Sequence, residues 1–130
     1  MNPNPKLASL TLRVALGLMY LAHGATKLFV FTPAGTAKFF MSLGLPGFVG
    51  YLAIVAELSA AGLLLSGVKA RWAAIALVPL LAGTIVLVHG ANGWMFTNPG
   101  GGWEYPAFMI AASLALFFLS DGKPRPAASV

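Results

Sequence analysis

Six ionisable side chains lie within or at the rim of long apolar stretches: Arg13, His23, Lys27, Glu57, His89 and Glu104. An ionised group at the centre of a membrane helix costs about 2.5–3.5 kcal/mol on insertion scales, so such groups face a bundle interior and act there. Glu57 is the sharpest of them. It stands in Leu52-Ala53-Ile54-Val55-Ala56-Glu57-Leu58-Ser59-Ala60-Ala61 with no local counter-ion. Its partner must come from another helix, and Arg13, Lys27 and His23 are the candidates. Two chemistries fit: a structural ion pair, or a carboxylate that accepts protons or anchors a ligand. Glu57 and His23 are accordingly the candidate catalytic groups.

Around them, Arg13, Gly17, Tyr20, Gly24 and Lys27 recur at spacings of four, three, four and three, which aligns them on one helical face with His23 on its flank. Gly17 and Gly24 permit close helix approach, so the same stripe also reads as a packing seam. Candidate ligand-binding residues are Arg13, Tyr20, Lys27, His89, Trp103 and Glu104. The last two belong to Gly100-Gly101-Gly102-Trp103-Glu104-Tyr105-Pro106, a glycine turn running into a helix start marked by Pro106. There an acidic residue also complements the helix N-terminus, while Trp103 and Tyr105 beside it suit the mouth of a site.

Metal chemistry has little support. Two histidines from facing helices can ligate haem, but His89 lies at its helix end and His23 about six residues in, a mismatch of several ångströms at roughly 1.5 Å per residue. No HxxxH or ExxH spacing supports zinc, and no metal site is expected. With no cysteine there is no thiolate ligand or dithiol relay, so electrons in any redox role must pass through a bound cofactor or a partner subunit.

The elements that would position these residues are membrane spans. Of 130 residues, 58% are hydrophobic and 8% charged, and mean hydropathy is +0.84. A soluble domain carries roughly 25% charged residues. Apolar runs over about residues 7–29, 47–66, 72–89 and 103–120 predict an all-α, integral membrane four-helix bundle in one domain. Thr32-Pro33-Ala34-Gly35 is expected to end the first helix, residues 36–43 to lie at the interface, and Pro79 to kink the third. The N-terminal run continues past Val14 without a small-residue cleavage site and is read as a retained helix. The tail from Asp121 is polar and proline-bearing.

Lys6, Lys69, Arg71, Lys123 and Arg125 flank one side, so the positive-inside rule puts both termini in the cytoplasm and the two larger loops outside. Trp94, Trp103 and Tyr105 suit the outer aromatic belt and Trp72 the inner one. His23, Lys27, His89 and Glu104 then share the outer level, with Glu57 roughly 15 Å below the surface and Arg13 nearer the cytoplasm. A net charge of +5 spread this way, without a hydrophilic domain, argues against nucleic acid as a partner.

Arg13 and His23-Gly24-x-x-Lys27, Phe39-Phe40-x-x-Leu43-Gly44-Leu45-Pro46, Glu57 with Leu64 and Gly67, Arg71-x-x-Ala74, and Gly101-Gly102-Trp103-Glu104-Tyr105 occur in an order that resembles the DoxX family of small four-helix bacterial membrane proteins. The resemblance covers about residues 8–122. It implies a multi-pass protein of the bacterial inner membrane, and a link to quinone-coupled or oxidative-stress chemistry. Two classes stay open. One is a membrane subunit of an oxidoreductase, with a quinone between the helices and a redox partner subunit. In that class His23 and Lys27 would bond a ring carbonyl, Glu57 would handle protons, and Tyr20 and Trp103 would line the ring. The other is a non-enzymatic scaffold or transporter-like binding module in the bilayer. Four spans without an inverted repeat would need a homo-oligomer to transport.

Overall fold

The computed structural model describes residues 2–119, and all regular structure among them is helical. Five helices follow one another: α1 (Pro5–Val30), α2 (Thr32–Ser42), α3 (Phe48–Ser66), α4 (Ala70–Asn92) and α5 (Glu104–Phe118). Three of them, α1, α3 and α4, are long and apolar enough to cross a membrane, while α5 is apolar but shorter. The sequence-derived end of the last helix at residue 120, and the tail beyond it, lie outside the described residues.

The fifth helix is α2, formed by the segment expected to end α1 and run along the interface. Thr32 breaks the chain direction with φ 66°. Pro33 then takes the first turn of a new helix, where its fixed φ is favourable and its missing N–H is no loss. The Thr-Pro-Ala-Gly segment thus ends α1 at Val30, as expected, and also opens a further helix.

Local chemistry sets the other boundaries. The Asn4 side chain accepts from the Leu7 N–H at 3.1 Å and Pro5 opens α1. Gly67, at φ 79°, closes α3 in the left-handed cap conformation that favours glycine. Regular α-helix in α4 breaks at Leu77, between Ala76 and Val78, because Pro79 lacks an N–H and its ring meets the carbonyl a turn earlier. α1 ends in a π-helical turn, Thr26–Val30, and α4 carries one over Ile85–His89 before a closing 3-10 turn, Gly90–Asn92.

α1 and α3 pack antiparallel through the small-residue stripe. A Cβ on Gly17 would stand 2.8 Å from the Leu65 side chain, and one on Gly24 2.8 Å from that of Leu58. Seven residues on α1 therefore match seven on α3, two turns against two turns. α4 and α5 close the bundle around a core of Leu16, Tyr20, Ala61, Leu64, Ala74 and Leu116. α2 lies on α3 where Gly50 meets the backbone of Ala37. Outward, Leu18, Phe29, Val55, Trp72, Val86 and Phe108 are exposed, an apolar belt suited to lipid.

Candidate functional site

The stripe on α1 delivers Tyr20, His23 and Lys27 toward a cavity of about 700 Å³. α3 contributes Glu57, α4 His89, and α5 Tyr105; α2 walls it with Thr36, Phe39 and Phe40. Most of the lining is apolar, and Phe39 and Leu87 at its edge are also exposed on the outer surface of the helices.

Glu57 finds its partner in Lys27. The ammonium lies 3.0 Å from Oε1 and 2.9 Å from Oε2, and the carboxylate side chain is only 8% exposed. Two of the three ammonium hydrogens are spent on this fork, leaving one for the cavity. The Lys27 carbonyl, inside the π-helical turn, accepts from the buried Thr36 hydroxyl at 3.0 Å. α2 therefore steadies the segment that carries the lysine, a role its sequence did not announce.

Across the cavity, His89 Nδ1 lies 2.9 Å from the Gly101 carbonyl and Nε2 lies 3.2 Å from the Tyr105 hydroxyl. The Tyr105 ring stands between the two histidines, with centroids 5.6 Å from His23 and 5.2 Å from His89. Behind it the loop between α4 and α5 is tightly cross-bonded. Asn92 donates to the Gly101 carbonyl at 2.9 Å, and Asn98 donates to the Asn92 carbonyl at 2.9 Å. Gly101 takes φ 78°, and a Cβ on Gly102 would collide with the carbonyls of Gly93, Trp94 and Met95, so the glycine run is a steric requirement of this loop. At the cavity floor, Tyr20 is 1% exposed and its hydroxyl has no hydrogen-bond partner among the described residues.

Five of the eight residues singled out in the sequence line the cavity: Tyr20, His23, Lys27, Glu57 and His89. Three lie elsewhere, each with a local task. Arg13 donates to the Leu64 carbonyl at 3.1 Å and rests against Gly67, at the other end of α3. Trp103 packs edge-on to Trp94 with centroids 4.5 Å apart. Glu104 accepts from the Phe96 N–H at 3.0 Å, tying the loop to the first turn of α5. Tyr105 lines the cavity too, a residue that the sequence places both in the outer aromatic belt and beside the mouth of a site, without singling it out as a ligand contact. Its signal was present, since it follows the glycine turn by one helical step, but its approach to His89 depends on how α4 and α5 cross. No cluster of three or more His, Asp or Glu side chains suited to a metal ion occurs among the described residues.

The DoxX family model matches residues 8–90, nearly two-thirds of the sequence and all of the stripe, Glu57 and His89. The chain belongs to the DoxX family. This DoxX protein is also 33% identical over 116 residues to a Bacillus subtilis (strain 168) protein named "Putative oxidoreductase CatD", a match covering 89% of this chain and 81% of the relative. No solved structure matches it. It is an all-helical membrane protein of that family, with a distant relative named as an oxidoreductase.

Proposed function

We propose that this DoxX protein is a membrane subunit of quinone-linked redox or oxidative-stress machinery, and that its cavity holds the quinone. The observation that carries the reading is a cavity of about 700 Å³ with mostly apolar walls and polar groups from α1, α3, α4 and α5 lining it. That volume and lining suit a ring-bearing small molecule. The donor set fits a quinone: the third Lys27 hydrogen and the His23 ring can each meet a ring oxygen. A bound quinone supplies two-electron, two-proton chemistry. Lys27 binds and orients, Glu57 and His23 hold or move protons, and the phenylalanines of α2 exclude water.

The relative named as an oxidoreductase is in keeping with this assignment. Without cysteine in the chain, electrons enter from a partner subunit. The basic end that carries Lys6, Lys69 and Arg71 is the surface for that partner, in a multi-pass inner-membrane protein with both termini in the cytoplasm. Homo-oligomerisation through the exposed apolar faces is compatible with the same arrangement.

The test is what co-purifies in mild detergent, read by visible absorption and by mass spectrometry of extracted lipids and quinones, for wild type and Glu57→Gln. A stoichiometric quinone in the wild type, depleted in the variant, is expected. An intact bundle with no quinone in either would sink the reading and favour a scaffold or transporter-like module.

A further inference from the structure

We propose that the Tyr105 hydroxyl, held by His89 and Gly101, is a hydrogen-bond acceptor that selects the hydroxyl form of an aromatic ligand, a hydroquinone or phenol, over its carbonyl form. This rests on the cavity being a small-molecule site.

The inference follows from counting protons along one chain of contacts. A carbonyl oxygen only accepts, so His89 Nδ1, 2.9 Å from the Gly101 carbonyl, carries the hydrogen. A neutral imidazole has one N–H, which leaves Nε2 as a lone pair. The Tyr105 hydroxyl, 3.2 Å away, therefore donates to Nε2. A phenol has a single hydrogen, and here it is committed to the histidine. What Tyr105 presents to the cavity it lines is the remaining lone pairs.

The commitment is enforced from behind. Asn92 binds the same Gly101 carbonyl at 2.9 Å, and the bonds from Trp103 N–H to the Gly93 carbonyl (3.0 Å) and from Glu104 N–H to the Trp94 carbonyl (3.1 Å) hold the loop. Turning the tautomer around would put two lone pairs face to face at Gly101. On the α1 side the free Lys27 hydrogen is a donor. One donor and one acceptor lining the same cavity match a hydroxyl group, which accepts from one and donates to the other. A ring carbonyl in that position accepts from Lys27 but meets Tyr105 oxygen to oxygen.

Three ring-matched probes test this on the full chain in lipid nanodiscs: 1-naphthol, 1-methoxynaphthalene and 1,4-naphthoquinone, by calorimetric titration. The naphthol is expected to bind roughly tenfold more tightly than its methyl ether, the scale of one hydrogen bond. Tyr105→Phe should erase that difference while leaving the ether unchanged. His89→Phe frees the tyrosine hydrogen to turn into the cavity, so naphthoquinone affinity should rise, an effect that a packing role for His89 would not produce. Equal binding of naphthol and ether by the wild type, or a preference that survives Tyr105→Phe, overturns the selection. Gly83→Phe separates the two levels. Gly83 lines the cavity and has no atom near its Cβ position, so the ring should fill the space. If Gly83→Phe abolishes all probe binding, the cavity is the site whatever its preference. If binding is indifferent to it, the cavity reading fails and the selection with it.

Discussion

At the scale of single residues, the Lys27–Glu57 pair decides most. Removing one partner of a buried ion pair leaves an uncompensated charge and costs about 3–5 kcal/mol, whereas replacing both with apolar groups is often neutral or stabilising. Lys27→Met alone should therefore lower the thermal transition markedly, and Lys27→Met with Glu57→Leu should recover most of the loss. A double variant as unstable as the single one would mean that the pair is not what the carboxylate depends on. Tyr20 is predicted to behave in the opposite sense. Its hydroxyl is buried without a partner among the described residues, and such a group costs about 1–3 kcal/mol. Tyr20→Phe should therefore raise the melting temperature of the protein. A fall instead would mean that the hydroxyl bonds the Ser113 hydroxyl buried beside it.

At the scale of elements, the fit of α1 to α3 depends on two missing side chains. An alanine at Gly24 would press its Cβ to 2.8 Å from Leu58, and overpacking of this kind costs about 1–3 kcal/mol. Gly24→Ala should be destabilising, and Leu58→Ala in the same chain should relieve part of that cost; additive losses in chemical denaturation would contradict the proposed contact. This seam was legible in the sequence because a period of three and four residues is a property of one helix alone. So were the residues that charge makes conspicuous in an apolar run: His23, Lys27, Glu57 and His89. What was not legible depends on two elements meeting. Lys27 was one of three candidate partners for Glu57 until the antiparallel register of α1 and α3 chose it. Tyr105 carries no charge, and only the crossing of α4 and α5 brings it to His89. Arg13 was conspicuous by the same charge criterion, yet it serves the Leu64 carbonyl at the far end of α3. The proline after Thr32 does mark the end of α1, but proline also favours a first turn, and the new helix it opens depends on packing against α3.

At the scale of the whole molecule, the distribution of Lys and Arg predicts an orientation that can be read directly. Because the native chain has no cysteine, single-cysteine variants report orientation on a silent background. Thr97→Cys, in the loop between α4 and α5, should react with a membrane-impermeant maleimide added outside intact cells. Val68→Cys, between α3 and α4, should react only after the membrane is opened; the reverse pattern would invert the topology. The two π-helical turns bear on how this protein tolerates changes in length. Each closes a hydrogen bond across five residues instead of four, as between the Phe31 N–H and the Thr26 carbonyl at 3.0 Å, and so houses one residue more than a regular turn. Deleting Val86, which is 78% exposed, should let Ile85–His89 relax to an ordinary turn while the stretches before and after keep their facing. The same one-codon loss in the middle of α3 has no slack to absorb it and would swing everything downstream by about 100°. Deletion tolerance along this gene should therefore peak at its two widened turns, next to the cavity, where an enzyme site would ordinarily be least forgiving.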